Sequence, residues 1–197
     1  MFKRTLIVVG VLVALMAIAY SQTKTTQNKV AAVKEVNDHG ALVKRGEFLV
    51  RMGSCADCHC PKKMSAMGPV PDSSRWLSGH PADAKVPPVP ANVLSMEGWI
   101  GMTNMHLTAW AGPWGISYAA NITPDEATGI GNWTEEVFIK TMKTGKHMGA
   151  GREILPPMPW QTLSTLSDSD LKAIFAYLLS CKPILNEVPQ PEAPAGH

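Results

Sequence analysis

Five residues restrict this chain more than any other feature: Cys55-Ala56-Asp57-Cys58-His59. Two thiols three positions apart lie on one side of a helical turn, and an imidazole follows the second at once. This is the spacing that attaches a c-type haem. The thiols form thioethers to the two vinyl groups of one porphyrin, and the imidazole faces the iron. Two other chemistries use paired cysteines. A thioredoxin-like redox pair belongs in a βαβ context, which the chain does not present. A tetrahedral zinc site needs two more ligands at short spacing. The other cysteines are Cys60 and Cys181, and Cys60, adjacent to His59, is poorly placed to share its metal. The motif therefore points to one covalent haem c, attached at Cys55 and Cys58, with His59 on the iron.

The start of the chain agrees with haem attachment outside the cytoplasm. Lys3 and Arg4 precede an uncharged apolar run of 14 residues, Leu6 to Ala19, and Ala17-Ile18-Ala19 is a small-residue cleavage pattern. Residues 1–21 are thus a signal peptide or an N-terminal membrane anchor. Thr5 to Tyr20 gives 16 residues, short for a span but tolerable in a thin bilayer. Residues 22–40 are polar and read as a linker. Residues 41–183 form the folded body. Residues 184–197, rich in proline, read as an extended tail. The formal net charge of +2 gives no basic field for nucleic acid.

Three helices are expected in the body. In residues 41–53, Leu42, Gly46, Leu49 and Gly53 share one face. Gly46 inside a helix costs about 1 kcal/mol relative to Ala, a cost that close approach of another helix would explain. Thr134 opens a second helix with Val137, Phe138, Thr141 and Met142 inward and Gly145 near its end. Ser167 caps the third, Asp170 stands three residues on, and Leu171, Ile174, Phe175, Leu178 and Leu179 follow at helical spacing. Pro183 stops it.

A second axial ligand to the iron is a Met, a His, water or nothing. Met158 stands out among 11 methionines because it sits in Leu155-Pro156-Pro157-Met158-Pro159-Trp160. Three prolines make that segment a rigid non-helical loop, able to hold a thioether toward a metal. Met142 and Met148 are its rivals, and His80, His106 and His147 would give bis-His ligation. Between the first and second helices, residues 60–132 hold nine Pro, eight Gly and four of the six Trp. A segment that long is expected to wrap the haem as ordered turns. Arg75 and Arg152 could pair with the haem propionates.

The chain resembles the class I c-type cytochromes of bacteria, and within them the haem domains serving respiratory chains and membrane-bound dehydrogenases. The resemblance rests on Gly46-Glu47-Phe48-Leu49-Val50 before CADCH, Leu77-Ser78-Gly79-His80-Pro81, Asn121-Ile122-Thr123-Pro124-Asp125, Thr128-Gly129-Ile130-Gly131-Asn132-Trp133, Pro156-Pro157-Met158-Pro159-Trp160 and Leu171–Leu178. It covers about residues 41–183. It implies an all-α, cytochrome c-like haem fold with a long irregular insertion rich in Pro, Gly and Trp, its first and last helices crossing near Gly46. It implies Met158 as sixth ligand. Gly68-Pro69 resembles the family's Gly-Pro turn, which implies that the Pro69 carbonyl accepts from His59.

These features imply a single-haem electron carrier rather than an enzyme, possessing two strong axial ligands that keep substrate off the iron. The alternative is a haem-c enzyme or gas-binding protein with an open or labile sixth site. Expected partners are redox proteins: a dehydrogenase, an oxidase or other cytochromes. The expected place is the periplasm or the outer face of the cytoplasmic membrane. Cys60 and Cys181, left over from the motif in an oxidising compartment, could bridge if their Cα atoms came within about 7 Å.

Overall fold

The computed structural model describes residues 2–90 and 100–194. Trp99 lies outside the described residues. The chain divides into two units, residues 1–41 and 42–197. The first is helical from Phe2 onward, the start of α1 (Phe2–Met52). The polar linker expected over 22–40 is helical too. No Pro interrupts it and no Gly occurs between Gly10 and Gly40. The hydroxyls of Thr23, Thr25 and Thr26 donate to carbonyls four residues back, at 2.9–3.1 Å. Among the described residues, no helix is long and apolar enough to cross a membrane.

The second unit is framed by the end of α1, by α3 (Glu135–Thr144) and by α5 (Asp168–Ser180), with the one-turn α4 (Trp160–Leu163) between the last two. Thr134 caps α3 through the Val137 N–H, and Ser167 caps α5 through the Asp170 N–H, as the sequence leads one to expect. A Cβ on Gly46 would lie 1.8 Å from the Ala173 carbonyl oxygen and 2.7 Å from Cβ of Tyr177. The helices cross there because nothing larger than hydrogen fits. Phe138 of α3 stacks on Phe175 of α5 with centroids 5.1 Å apart. Leu49, Val50, Leu171, Ile174 and Leu178 belong to the same buried core, which Leu77 and Ile130 join from the segment between α2 and α3. Leu179, expected inward, is exposed, and Tyr177 takes the buried place beside Gly46.

The all-α expectation is wrong. Two antiparallel sheets occupy the segment expected to be irregular. One is the hairpin of β1 (Lys62–Ser65) and β2 (Gly68–Pro71). The other joins β3 (Met102–Thr103), β4 (Ala109–Gly112) and β5 (Gly115–Tyr118) in that order. The strands are two to four residues long, too short for alternation to mark them, and Gly and Pro obscure them further. Their ladders are local, pairing residues no more than nine positions apart.

Residues 184–194 do not trail. Ile116 of β5 exchanges two backbone hydrogen bonds with Glu192, each 2.9 Å. Gly115, at φ +92°, permits this approach, since a Cβ there would meet the Glu192 carbonyl at 1.9 Å.

Candidate haem site

The CADCH turn is itself a short helix, α2 (Cys55–His59). The Gly53 N–H closes α1 on the Leu49 carbonyl at 2.8 Å, and Ser54, at φ 54°, redirects the chain into α2. Cys55, Cys58 and His59 face a cavity of about 660 Å³. Val50 of α1, Phe138 and Met142 of α3, and Leu171, Ile174 and Leu178 of α5 form its apolar wall. The sheet side contributes Trp110 and residues 117–122, and the Pro-rich loop contributes residues 154–159. The size and largely apolar lining suit a cofactor.

His59 is buried, and its Nδ1 lies 2.8 Å from the Ala120 carbonyl oxygen. A carbonyl only accepts, so Nδ1 carries the proton and Nε2 keeps its lone pair for a metal. Burial pushes the pKa of His59 down, opposed by the Ala120 bond, and the ring is neutral, as a ligand must be.

The acceptor expected for His59, Pro69, is elsewhere. Pro69 is exposed in β2, opposite Met64 in the hairpin ladder. Ala120 takes the role because the chain leaving β5 runs beside the motif. The His80 N–H donates to Ala119, and the Gly79 N–H donates to the carbonyl of His59 itself, both at 2.8 Å.

Burial pushes the Cys55 thiol up to about 11 and raises that of Cys58 as well. A redox-active pair needs a depressed thiol, so the two stand as protonated, shielded groups. Among the described residues, no three His, Cys, Asp or Glu side chains converge as a metal cluster. Cys60 and Cys181 are free thiols. Cys60 is buried and its Sγ lies 3.3 Å from the Asp72 carbonyl oxygen, while that of Cys181 lies 3.4 Å from the Tyr177 carbonyl. The two thiols do not form a bridge.

Met158 is half-buried in the wall of the same cavity. Its loop is held at both flanks. The Ile154 N–H donates to Gly145 at the end of α3, the Trp160 N–H donates to the Met158 carbonyl at 2.9 Å, and the Ser117 hydroxyl of β5 donates to the Pro156 carbonyl. Met142 shares the wall from α3; Met148 is exposed and outside it. His147 lines the rim, edge-on to Trp133. His80 is engaged with Thr108 and Ala84, and His106 accepts from the Lys62 N–H.

Arg75 does not line the cavity. Its guanidinium faces Asn186 at 3.3 Å and Asp83 at 3.6 Å. Arg152 does line it. Absent from the sequence reading is the strap formed by residues 185–191, of which all but Asn186 border the cavity. Asn186 is buried beneath it. Its amide donates to the Ser78 and His80 carbonyls at 2.7 and 2.8 Å and accepts from the Ala82 N–H at 2.9 Å. Asn121 donates to the Ile184 carbonyl at 2.8 Å. Nothing in Leu185-Asn186-Glu187 signals burial of the asparagine.

No family model matches the chain. It is 31% identical over 149 residues to the gluconate 2-dehydrogenase cytochrome c subunit of Pantoea cypripedii, covering 76% of this chain and 25% of that protein. It is 36% identical over 157 residues to the fructose dehydrogenase cytochrome subunit of Gluconobacter japonicus, covering 79% and 25%. It is 30% identical over 145 residues to the cytochrome c subunit of the quinone alcohol dehydrogenase of Gluconobacter oxydans, covering 73% and 22%. The chain spans about a quarter of the length of these relatives.

Proposed function

Starting from a c-type cytochrome that resembles the cytochrome subunits of dehydrogenases, we propose that this chain carries single electrons from a dehydrogenase to a second redox protein, an oxidase or another cytochrome. One observation carries the reading: two thiols, an imidazole with a free Nε2 and a thioether border one largely apolar cavity. Cys55 and Cys58 would hold one haem covalently, and His59 and Met158 would hold its iron. A haem so ligated supplies a one-electron ferrous–ferric couple, which a thioether ligand biases toward the ferrous form.

The chain's own residues do the rest. Ala120 holds His59 as the neutral Nδ1–H tautomer. Ser117, Gly145 and the prolines hold the Met158 loop. The α1, α3 and α5 wall excludes water, and residues 185–191 cover another side. With His59 and Met158 both holding the iron, no substrate would reach it, which separates this reading from an enzyme or gas-binding protein with an open or labile ligand site. The basic start and apolar run of residues 1–21 support export, with the haem domain in the periplasm or on the outer face of the membrane.

The test is spectroscopic. The ferric protein is expected to show the weak Met-to-iron charge-transfer band. Met158→Ala should lose it and lower the midpoint potential, while Met142→Leu should retain it. Persistence of the band in Met158→Ala would remove Met158 as ligand, and haem released by acid-acetone would overturn covalent attachment.

A further inference from the structure

The end of the CADCH helix holds a group that the proposed electron transfer has not used. Like any helix, α2 leaves its last carbonyls without intrahelical partners; that of His59 accepts from the Gly79 N–H, and the others need a donor from elsewhere. The chain leaves it at Cys60 in an extended conformation, φ −123° and ψ 122°. The side chain of Lys62 then folds back beneath the motif. Its Nζ donates to the carbonyls of Ala56 at 2.9 Å, Asp57 at 2.8 Å and Cys60 at 2.7 Å. An ammonium has three protons, and all three are used.

Lys62 is only 9% exposed, unusual for a lysine. It has no carboxylate partner among the described ion pairs, whereas its neighbour Lys63 is exposed and faces Asp72. The positive charge is therefore compensated by carbonyl dipoles at the C-terminal end of a helix, where a cation is favoured. Its field reaches the motif. The carbonyls it holds, those of Ala56, Asp57 and Cys60, flank Cys58 and His59 along the chain.

Given the reading that CADCH holds a haem, we propose that Lys62 is a positioning residue of the site: its buried ammonium closes the helix carrying Cys55, Cys58 and His59, and sets beside the motif a positive charge, held by carbonyls and by no carboxylate among the described residues, that favours the ferrous state. The backbone clamp fixes where the thiols and imidazole stand. The charge penalises the extra positive charge of the ferric form, an effect strengthened because Lys62 is screened from solvent.

Two measurements test this. The first uses native protein and needs no redox readout: amine acylation followed by mass spectrometry. Lys62 should react far more slowly than Lys63; equal rates would overturn the buried clamp. The second compares Lys62→Met, of similar length but neutral, with Lys62→Arg, which keeps the charge. At equilibrium with a redox mediator, Lys62→Met should shift the ferric-to-ferrous ratio toward ferric by more than about threefold. Its axial-ligand bands should be unchanged, and Lys62→Arg should lie closer to wild type. Equal shifts in the two variants, or none in Lys62→Met, would overturn the electrostatic role. Should Lys62→Met fail to fold, the acylation rates and the Lys62→Arg potential still decide. Failure of the haem reading is separate: it would appear as protein without a covalent haem, while the acylation contrast stood.

Discussion

The two halves of the site are built by different rules. The helical half, α1, α3 and α5, follows patterns written within a few residues: caps at Thr134 and Ser167, apolar spacing, a glycine at the crossing. The other half, β1–β5 and the C-terminal strap, closes through single polar bonds between residues far apart in sequence. Asn186 lies more than 100 positions from the Ser78 and His80 carbonyls it binds. A frame built on local periodicity fails when its packing is violated; a wall built on a few buried polar groups fails when one loses its partner.

Gly46→Ala should be the most damaging change to the frame. The added methyl overlaps the Ala173 carbonyl, a backbone atom that cannot swing aside, and about 3 kcal/mol or more should be lost. Chemical denaturation measures it, and a loss below about 1 kcal/mol would mean the helices do not cross this closely. Asn186→Ala attacks the other half. It strands the Ser78 and His80 carbonyls and the Ala82 N–H, at about 2–3 kcal/mol. The strap should become protease-sensitive while amide protection in α5 persists. Simultaneous loss of both would show that the halves are not separable.

A pH effect should also sort with the sheet half. His80 is fully buried against Thr108 and Tyr118, and burial holds its pKa below the usual 6.5. The unfolded chain therefore takes up the proton first as pH falls. Stability should decline from about 6.5 down to the depressed value and be independent of His80 above that window. His80→Gln should flatten that part of the profile; an unchanged slope would place the titration elsewhere. The smallest effect belongs to the surface of the frame. Arg45 and Asp170 meet at 2.9 Å, but the arginine is half exposed, so Arg45→Ala should cost under about 0.5 kcal/mol by denaturation.

From the sequence alone one could read the motif spacing of Cys55, Cys58 and His59, three helices, two of them with their caps at Thr134 and Ser167, and the reason for Gly46. These depend on spacing within one or two turns, where residue identity and geometry are tightly linked. The sequence also singles out the Met158 loop, through proline's fixed φ. The tertiary structure alone decided which carbonyl meets His59, because every residue carries one and only the path of the chain brings Ala120, rather than Pro69, to Nδ1. It likewise turned the 60–132 segment into two sheets, engaged Arg75 with Asn186, buried Lys62 under the motif and left Cys60 and Cys181 apart. The strands pair within nine residues but are too short to show alternation; the others depend on a partner remote in sequence or on burial, and neither leaves a periodic trace along the chain.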